Sequence, residues 1–133
     1  MKAYFLDTTA LLAHYFNEAG ARHVQEILEE EGSEVSISAL SVAEMARSLF
    51  ALGTDLEAAR STALQYAGLS TVAVIDAATS IRAFELGSVC ETRLPLADAL
   101  IAAGAQLSKA ALVHRDPHFN GIPAGLIMRE EIE

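Results

Sequence analysis

Four acidic residues occupy positions from which they could act together. They are Asp7, Glu44, Asp98 and Asp116, and each follows a predicted strand or lies in the first turn of a predicted helix. In an open parallel sheet, ligands bind beyond the carboxyl ends of the strands, so acids from distant parts of the chain can converge there. Carboxylates gathered in one crevice repel and raise one another's pKa values unless a cation neutralises them.

The cation that fits such a cluster is a hard divalent ion. Ligand sets made only of oxygen favour Mg²⁺ or Mn²⁺, which keep water ligands and bind phosphate oxygens. One or two such ions would lower the pKa of a bound water, stabilise an in-line transition state at phosphorus and neutralise the leaving oxygen. The four acids therefore predict a metal site suited to phosphodiester hydrolysis.

Each acid also has a structural interpretation of its own. Asp7 could cap the helix that follows it. Glu44 closes the segment Ser41-Val42-Ala43-Glu44, which fits a capping box in which the glutamate bonds back to the cap. Asp116 precedes Pro117 and suits a turn. Asp98 is the exception, because a carboxylate on an almost wholly apolar helix is costly unless a cation or donor meets it.

Composition limits the remaining possibilities. The chain has 133 residues, of which 52% are hydrophobic, so we expect one compact domain over residues 1–133. Its formal charge of −9 opposes nucleic-acid binding unless metal ions and local arginines offset it. A single cysteine and the lack of an apolar signal core predict a cytoplasmic protein, and the most apolar stretch, residues 94–113, is too interrupted to span a membrane.

Hydrophobic patterning predicts the elements that position the acids. Short apolar runs at residues 3–6, 35–38, 71–75, 111–113 and 126–128 are typical of strands. Helical patterns lie between them, the first capped by Thr8 or Thr9 and the clearest an apolar stripe from Val42 to Phe50. Strands alternating with helices indicate an α/β fold with a parallel sheet covered on both faces.

At these residues the sequence resembles PIN-domain proteins, and most of all the VapC-type toxins of prokaryotic toxin–antitoxin pairs. The matching segments are residues 5–11, 41–44, 94–103 and 112–119, which follow the family's order and each hold one of the four acids. The resemblance implies a three-layer α/β/α fold with a parallel sheet of four or five strands. It also implies a ribonuclease that cuts RNA internally and depends on Mg²⁺ or Mn²⁺.

The resemblance further assigns roles to single residues and partners. Asp7, Asp98 and Asp116 would hold metal, Glu44 would bind metal or orient its water, and Thr9 would support Asp7. We call the four acids the acidic quartet. A homodimer is implied, together with a small antitoxin whose tail occupies the groove, where a basic side chain would meet the acids.

The sequence departs from the family around the last acid. The family often has threonine two residues before it, where this chain has His114, and often another acid two residues after it, where this chain has His118. Either histidine could contact phosphate or metal, or serve only in the loop. Arg115 adjoins Asp116, and we hypothesise that it contacts the RNA backbone.

Three other functions compete with an antitoxin-neutralised ribonuclease. A PIN fold could be an inactive binding module, although all four acids are present. It could also be a solitary RNA-processing nuclease without an antitoxin. A phosphatase that forms an aspartyl-phosphate on Asp7 is less consistent with the sequence, since such enzymes usually have a second aspartate where this chain has Thr9.

Overall fold

The chain is described over residues 2–133 in a computed structural model. These residues form five strands, six α-helices and one 3₁₀ helix. In chain order they are β1 (Ala3–Leu6), α1 (Thr8–Tyr15), α2 (Ala21–Glu29), β2 (Glu34–Ser38), α3 (Ala39–Ala51), α4 (Leu56–Gly68), β3 (Thr71–Ala73), α5 (Ala77–Val89), α6 (Leu96–Leu107), β4 (Ala111–His114), the 3₁₀ helix (Pro117–Gly121) and β5 (Met128–Glu131).

The strands form one sheet in the order β3-β2-β1-β4-β5, and every neighbouring pair is parallel. The expected α/β fold with a parallel sheet of four or five strands is therefore confirmed, with five strands. β1 lies at the centre between β2 and β4, so the carboxyl ends of these three strands meet at one edge. The connections after these strands begin at this edge, which is where ligands bind in such folds.

Apolar side chains pack on both faces of the sheet. Tyr4 and Leu6 of β1 join a buried cluster with residues of helices α1 to α4, whereas Phe5 joins a second cluster with residues of α5 and α6. This alternation follows from the pleat of a strand, which directs successive side chains to opposite faces. The result is a three-layer arrangement.

No helix within residues 2–133 combines the length and apolarity that crossing a bilayer requires.

Gly104 lets α6 approach the central strand closely. A Cβ atom at this position would lie 2.7 Å from Cζ of Phe5, which is closer than real Cβ contacts come. Both residues are fully or almost fully buried in the second cluster's layer. The absence of a side chain at Gly104 therefore sets the distance between β1 and the helix that holds Asp98.

The caps of two helices decide between interpretations of the sequence. Asp7 caps α1, as its structural interpretation predicts, by accepting a hydrogen bond of 2.8 Å from the amide of Ala10, whereas the predicted cap at Thr8 or Thr9 is wrong. Ser38 caps α3, so Ser41 lies inside the helix and the predicted capping box with Glu44 is wrong. The predicted third strand ends at Ala73 rather than residue 75, and the last strand begins at Met128 rather than residue 126.

The predicted apolar stripe of α3 is correct in part. Met45 and Leu49 are fully buried, and Val42 and Ala46 pack against the same cluster. Phe50 is 56% exposed, whereas Leu49 beside it is fully buried, so the buried stripe does not extend to Phe50. An aromatic ring is therefore left on the surface of this helix.

Candidate metal centre

Asp7 is held in a fixed position at the carboxyl end of β1. The carboxylate is 2% exposed and accepts hydrogen bonds from the Thr9 hydroxyl at 2.7 and 2.8 Å as well as from the Ala10 amide. The amide of Arg115, just after β4, donates to Oγ1 of Thr9 at 3.1 Å. Thr9 thus connects Asp7 to the neighbouring strand, which agrees geometrically with the supporting position predicted for it.

Glu44 reaches the same edge of the sheet from α3. Its Oε1 accepts a hydrogen bond of 2.6 Å from the hydroxyl of Thr8, in the first turn of α1. Oγ1 of Thr8 also lies 3.0 Å from Oγ of Ser41, which is fully buried. Glu44 is therefore positioned by Thr8, which is distant from it in sequence. Among the described residues, Arg47 forms no ion pair with Glu44.

Asp98 and Asp116 come together at the start of α6 and of the 3₁₀ helix. Asp116 caps the 3₁₀ helix by accepting from the amide of His118 at 2.9 Å. The ring of His118 lies between the two acids, with Nδ1 2.8 Å from Oδ1 of Asp116 and 3.3 Å from Oδ2 of Asp98. These three residues each offer a ligand atom, and the three atoms lie within 4.8 Å of one another.

Burial and mutual repulsion raise the pKa values of two of the acids. Burial raises the pKa of Asp7 to about 7; the charges of Asp116 and Asp98 act in the same direction, against the hydrogen bonds from Thr9 and Ala10. Burial raises the pKa of Asp98 to about 6, with further contributions from Asp116 and Glu44 and an opposing one from His118. Asp98 therefore lies close enough to each of the other three acids to interact with its charge.

A cation at this site would offset the repulsion between these carboxylates. A divalent ion stabilises the ionised form of every carboxylate that faces it, and carboxylate oxygens are the donors that Mg²⁺ and Mn²⁺ accept. The residues present thus fit a hard divalent ion by the chemistry of their donor atoms. Within residues 2–133, the tight group of three ligand atoms does not include Asp7, whose carboxylate bonds to Thr9, or Glu44, whose carboxylate bonds to Thr8.

The two histidines near Asp116 differ completely in their surroundings. His114 is 1% exposed, its ring packs edge-on against Phe119 with centroids 5.0 Å apart, and its Nδ1 has no hydrogen-bond partner among residues 2–133. Burial lowers the pKa of His114, so it is a neutral core residue. His118 faces the acids, and the sequence offered no way to distinguish the two.

Arg115 is held by the loop between α1 and α2. Its guanidinium pairs with the carboxylate of Glu18 and donates to the carbonyl of Ala19 at 3.3 Å. A contact of Arg115 with RNA would therefore require exchange of these partners. That hypothesis stays a prediction.

The family follows from comparison of the sequence with known families. The sequence model of the PIN domain matches residues 4–124, which include all four acids. The chain belongs to the PIN-domain family. No curated protein matches this PIN domain closely enough to count as a relative.

Solved structures show the same fold over whole chains. A chain of VapBC2 from Rickettsia felis, bound to a promoter DNA fragment, superposes with a TM-score of 0.78 at 21% identity, covering 98% of this chain and 99% of that one. A chain of VapBC-1 from nontypeable Haemophilus influenzae superposes with a TM-score of 0.76 at 15% sequence identity, covering 97% of each chain. VapBC-5 from Mycobacterium tuberculosis, of a toxin–antitoxin family, gives 0.68 at 21% identity, covering 100% and 99%.

Proposed function

We propose that this PIN domain is a metal-dependent endoribonuclease and the toxin of a toxin–antitoxin pair. The observation that carries the proposal is the convergence of the acidic quartet at the carboxyl edge of the sheet. The pKa of Asp7 is raised to about 7 and that of Asp98 to about 6. Strongly perturbed carboxylates in a cleft mark a candidate functional site, and this edge of a parallel sheet is where ligands bind.

Asp98 and Asp116 would hold Mg²⁺ or Mn²⁺, with Asp7 as a third ligand and Glu44 as a further ligand or the group that orients a metal-bound water. One or two bound ions would supply an activated water and would offset negative charge at the phosphate. The protein's own contribution is positioning: Thr9 fixes both oxygens of Asp7, and Thr8 fixes Oε1 of Glu44. Thr8 and Thr9 would do this by hydrogen bonding alone, without taking part in proton transfer.

RNA as the substrate is supported by the groove that runs past Glu44. This groove has a volume of about 470 Å³ and is lined by Arg47 and the exposed ring of Phe50 along α3. A cation can pair with a phosphate, and an aromatic ring can stack with a base of a single strand. Both lie beside an acid of the quartet, so a nucleotide in the groove would have its backbone near the metal.

The proposed function includes two partners, an antitoxin protein and a second copy of this chain. The similar chains come from VapBC complexes, one of which is described as a toxin–antitoxin system, and an acidic crevice suits a basic side chain of an antitoxin. A homodimer is supported by apolar side chains on the surface of α5 and α6. Phe84 is 70% and Leu96 71% exposed, and both line one groove. An RNA-cleaving toxin would act in the cytoplasm.

Cleavage of structured RNA by the purified protein tests this function. The wild type should cut RNA with Mg²⁺ or Mn²⁺ and lose activity in EDTA, and the folded variant Asp98→Asn should be inactive. Equal cleavage by the variant, or by the wild type in EDTA, would contradict the proposal. A folded wild type that cuts no RNA would instead be an inactive binding module.

The toxin assignment has a separate test. A short neighbouring reading frame should encode a small DNA-binding protein with an amphipathic tail. Co-expression of that protein should suppress cleavage. If no such frame exists, the protein is a solitary nuclease.

A further inference from the structure

His118 is placed against the acids by the turn in which it lies. Oδ1 of Asp116 accepts a hydrogen bond from the backbone amide of His118 at 2.9 Å, and ring nitrogen Nδ1 of His118 lies 2.8 Å from the same oxygen. Pro117, whose ring fixes the backbone angle φ, lies between them at the first position of the 3₁₀ helix. Although the His118 side chain is 53% exposed, its Nδ1 faces two carboxylates and not solvent alone.

The distances match those between neighbouring ligands of one ion. In an octahedral site with bonds of about 2.1 Å, adjacent ligand atoms are about 3.0 Å apart. Nδ1 of His118 lies 2.8 Å from one carboxylate oxygen and 3.3 Å from the other, on either side of that value. These two spacings allow one ion to bond to Nδ1 and to a carboxylate oxygen of each acid, provided that the ring proton is on Nε2 and not on Nδ1.

We propose that His118 is a direct metal ligand through Nδ1 and that it makes this site prefer Mn²⁺ to Mg²⁺. The inference rests on the proposed function for the presence of a divalent ion, and it adds a nitrogen ligand to the acidic quartet. Mg²⁺ is bound almost entirely by oxygen, whereas imidazole nitrogen favours first-row transition ions.

A different role for His118 gives the opposite result. If the imidazole is a positive counter-ion of Asp98 and Asp116, it competes with a metal ion for the same carboxylates. Its removal would then strengthen metal binding. If it is a ligand, its removal weakens binding, and weakens that of Mn²⁺ more than that of Mg²⁺.

Calorimetry with each metal alone distinguishes the two roles. We expect His118→Ala to weaken Mn²⁺ binding about tenfold or more, in the range that loss of supporting groups around a metal produces. The loss for Mg²⁺ should be smaller, and His118→Asp should shift preference towards Mg²⁺. The matched control is His23→Ala, which removes another partly exposed histidine paired with a carboxylate, Glu130. It should leave both affinities unchanged.

Pulsed electron paramagnetic resonance of bound Mn²⁺ detects the bond directly. The wild type and His23→Ala should show coupling to a ¹⁴N nucleus, and both His118 variants should lack it. Absence of this coupling in the wild type would overturn the inference, as would equal or tighter Mn²⁺ binding by His118→Ala. Neither result depends on RNA cleavage, so a failure of this inference is distinguishable from a failure of the proposed ribonuclease function.

Discussion

The hydroxyl of Thr8 donates a hydrogen bond of 2.6 Å to Oε1 of Glu44. This bond joins the first turn of α1 to α3, and it orients a carboxylate that has no other hydrogen-bond partner among residues 2–133. A group that orients a metal ligand or a water-binding carboxylate typically affects activity strongly without touching substrate. Thr8 is therefore a positioning residue of the candidate site.

Replacement of Thr8 by valine tests this role. Thr8→Val keeps the branched shape but removes the donor, so Glu44 loses its fixed orientation, and we expect RNA cleavage to fall by about tenfold to a hundredfold. The KM for RNA should change little, because Thr8 is argued to act through Glu44. Initial rates over a range of RNA concentrations separate the two constants.

The conservative variant Thr8→Ser supplies the control. It retains the hydroxyl and should keep most of the activity. If Thr8→Val cleaves RNA at the wild-type rate, or if Thr8→Ser is as inactive as Thr8→Val, the hydrogen bond to Glu44 is not the feature that matters.

The stability of the metal-free protein should depend on the ionisation of Asp98. The pKa of this carboxyl is about 6 in the folded protein against an ordinary 3.8, so between these values the folded state binds more protons than the unfolded one. Stability from this group is therefore full at low pH and is lost as the pH rises through about 6. In EDTA, Asp98→Asn should gain stability relative to the wild type between pH 5 and pH 8, as thermal melting would measure.

Asp76→Asn is the matched control for that experiment. Asp76 caps α5, and hydrogen bonds from Thr79 hold its pKa below the ordinary value, so it stays ionised from pH 5 to pH 8 in both states. Its variant should follow the pH profile of the wild type in parallel. If the pH profile of Asp98→Asn is also parallel to that of the wild type, the pKa of Asp98 is not raised in the folded protein.

The sequence was sufficient for the features that depend on local pattern. The apolar run Ala3–Leu6 predicted a strand, which the sheet places between β2 and β4. The alternation of strands and helices predicted that the sheet is parallel. These predictions succeed because burial on both faces requires continuous apolar runs, and parallel strands require a helix between them.

The details of the site depend on contacts between distant residues. The local pattern predicted a capping box that begins at Ser41, but Ser38 caps α3, and the Ser41 hydroxyl lies 3.0 Å from Oγ1 of Thr8, 33 residues away in the chain. The sequence did not distinguish the roles of His114 and His118, yet His114 is the buried last residue of β4, whereas His118 lies in the 3₁₀ helix that begins at Pro117. No pattern within a short window contains such information.

Arg47 should contribute more to RNA binding than Arg115. Arg47 lines the groove beside Glu44 and has no ion-pair partner among residues 2–133, whereas Arg115 already pairs with Glu18. The logarithm of the RNA-binding constant falls linearly with the logarithm of the salt concentration. For a single strand, loss of one phosphate contact makes this slope shallower by about 0.7. In an Asp98→Asn background, which prevents cleavage, Arg47→Ala should weaken RNA binding and lower this slope. Arg115→Ala should have the smaller effect, and the reverse order would restore Arg115 as the main backbone contact.

Gly104→Ala should destabilise the protein by about 1–3 kcal/mol, the usual cost of overpacking a core. The added methyl group would lie 2.7 Å from Cζ of Phe5, and both α6 and β1 are confined by the sheet. The matched control is Gly87→Ala in α5, where a Cβ meets nothing within 4 Å. Because alanine favours a helix over glycine by about 1 kcal/mol, that variant should be neutral or more stable. Chemical denaturation of both variants measures the difference, and equal stability would show that α6 can move away from Phe5 without cost.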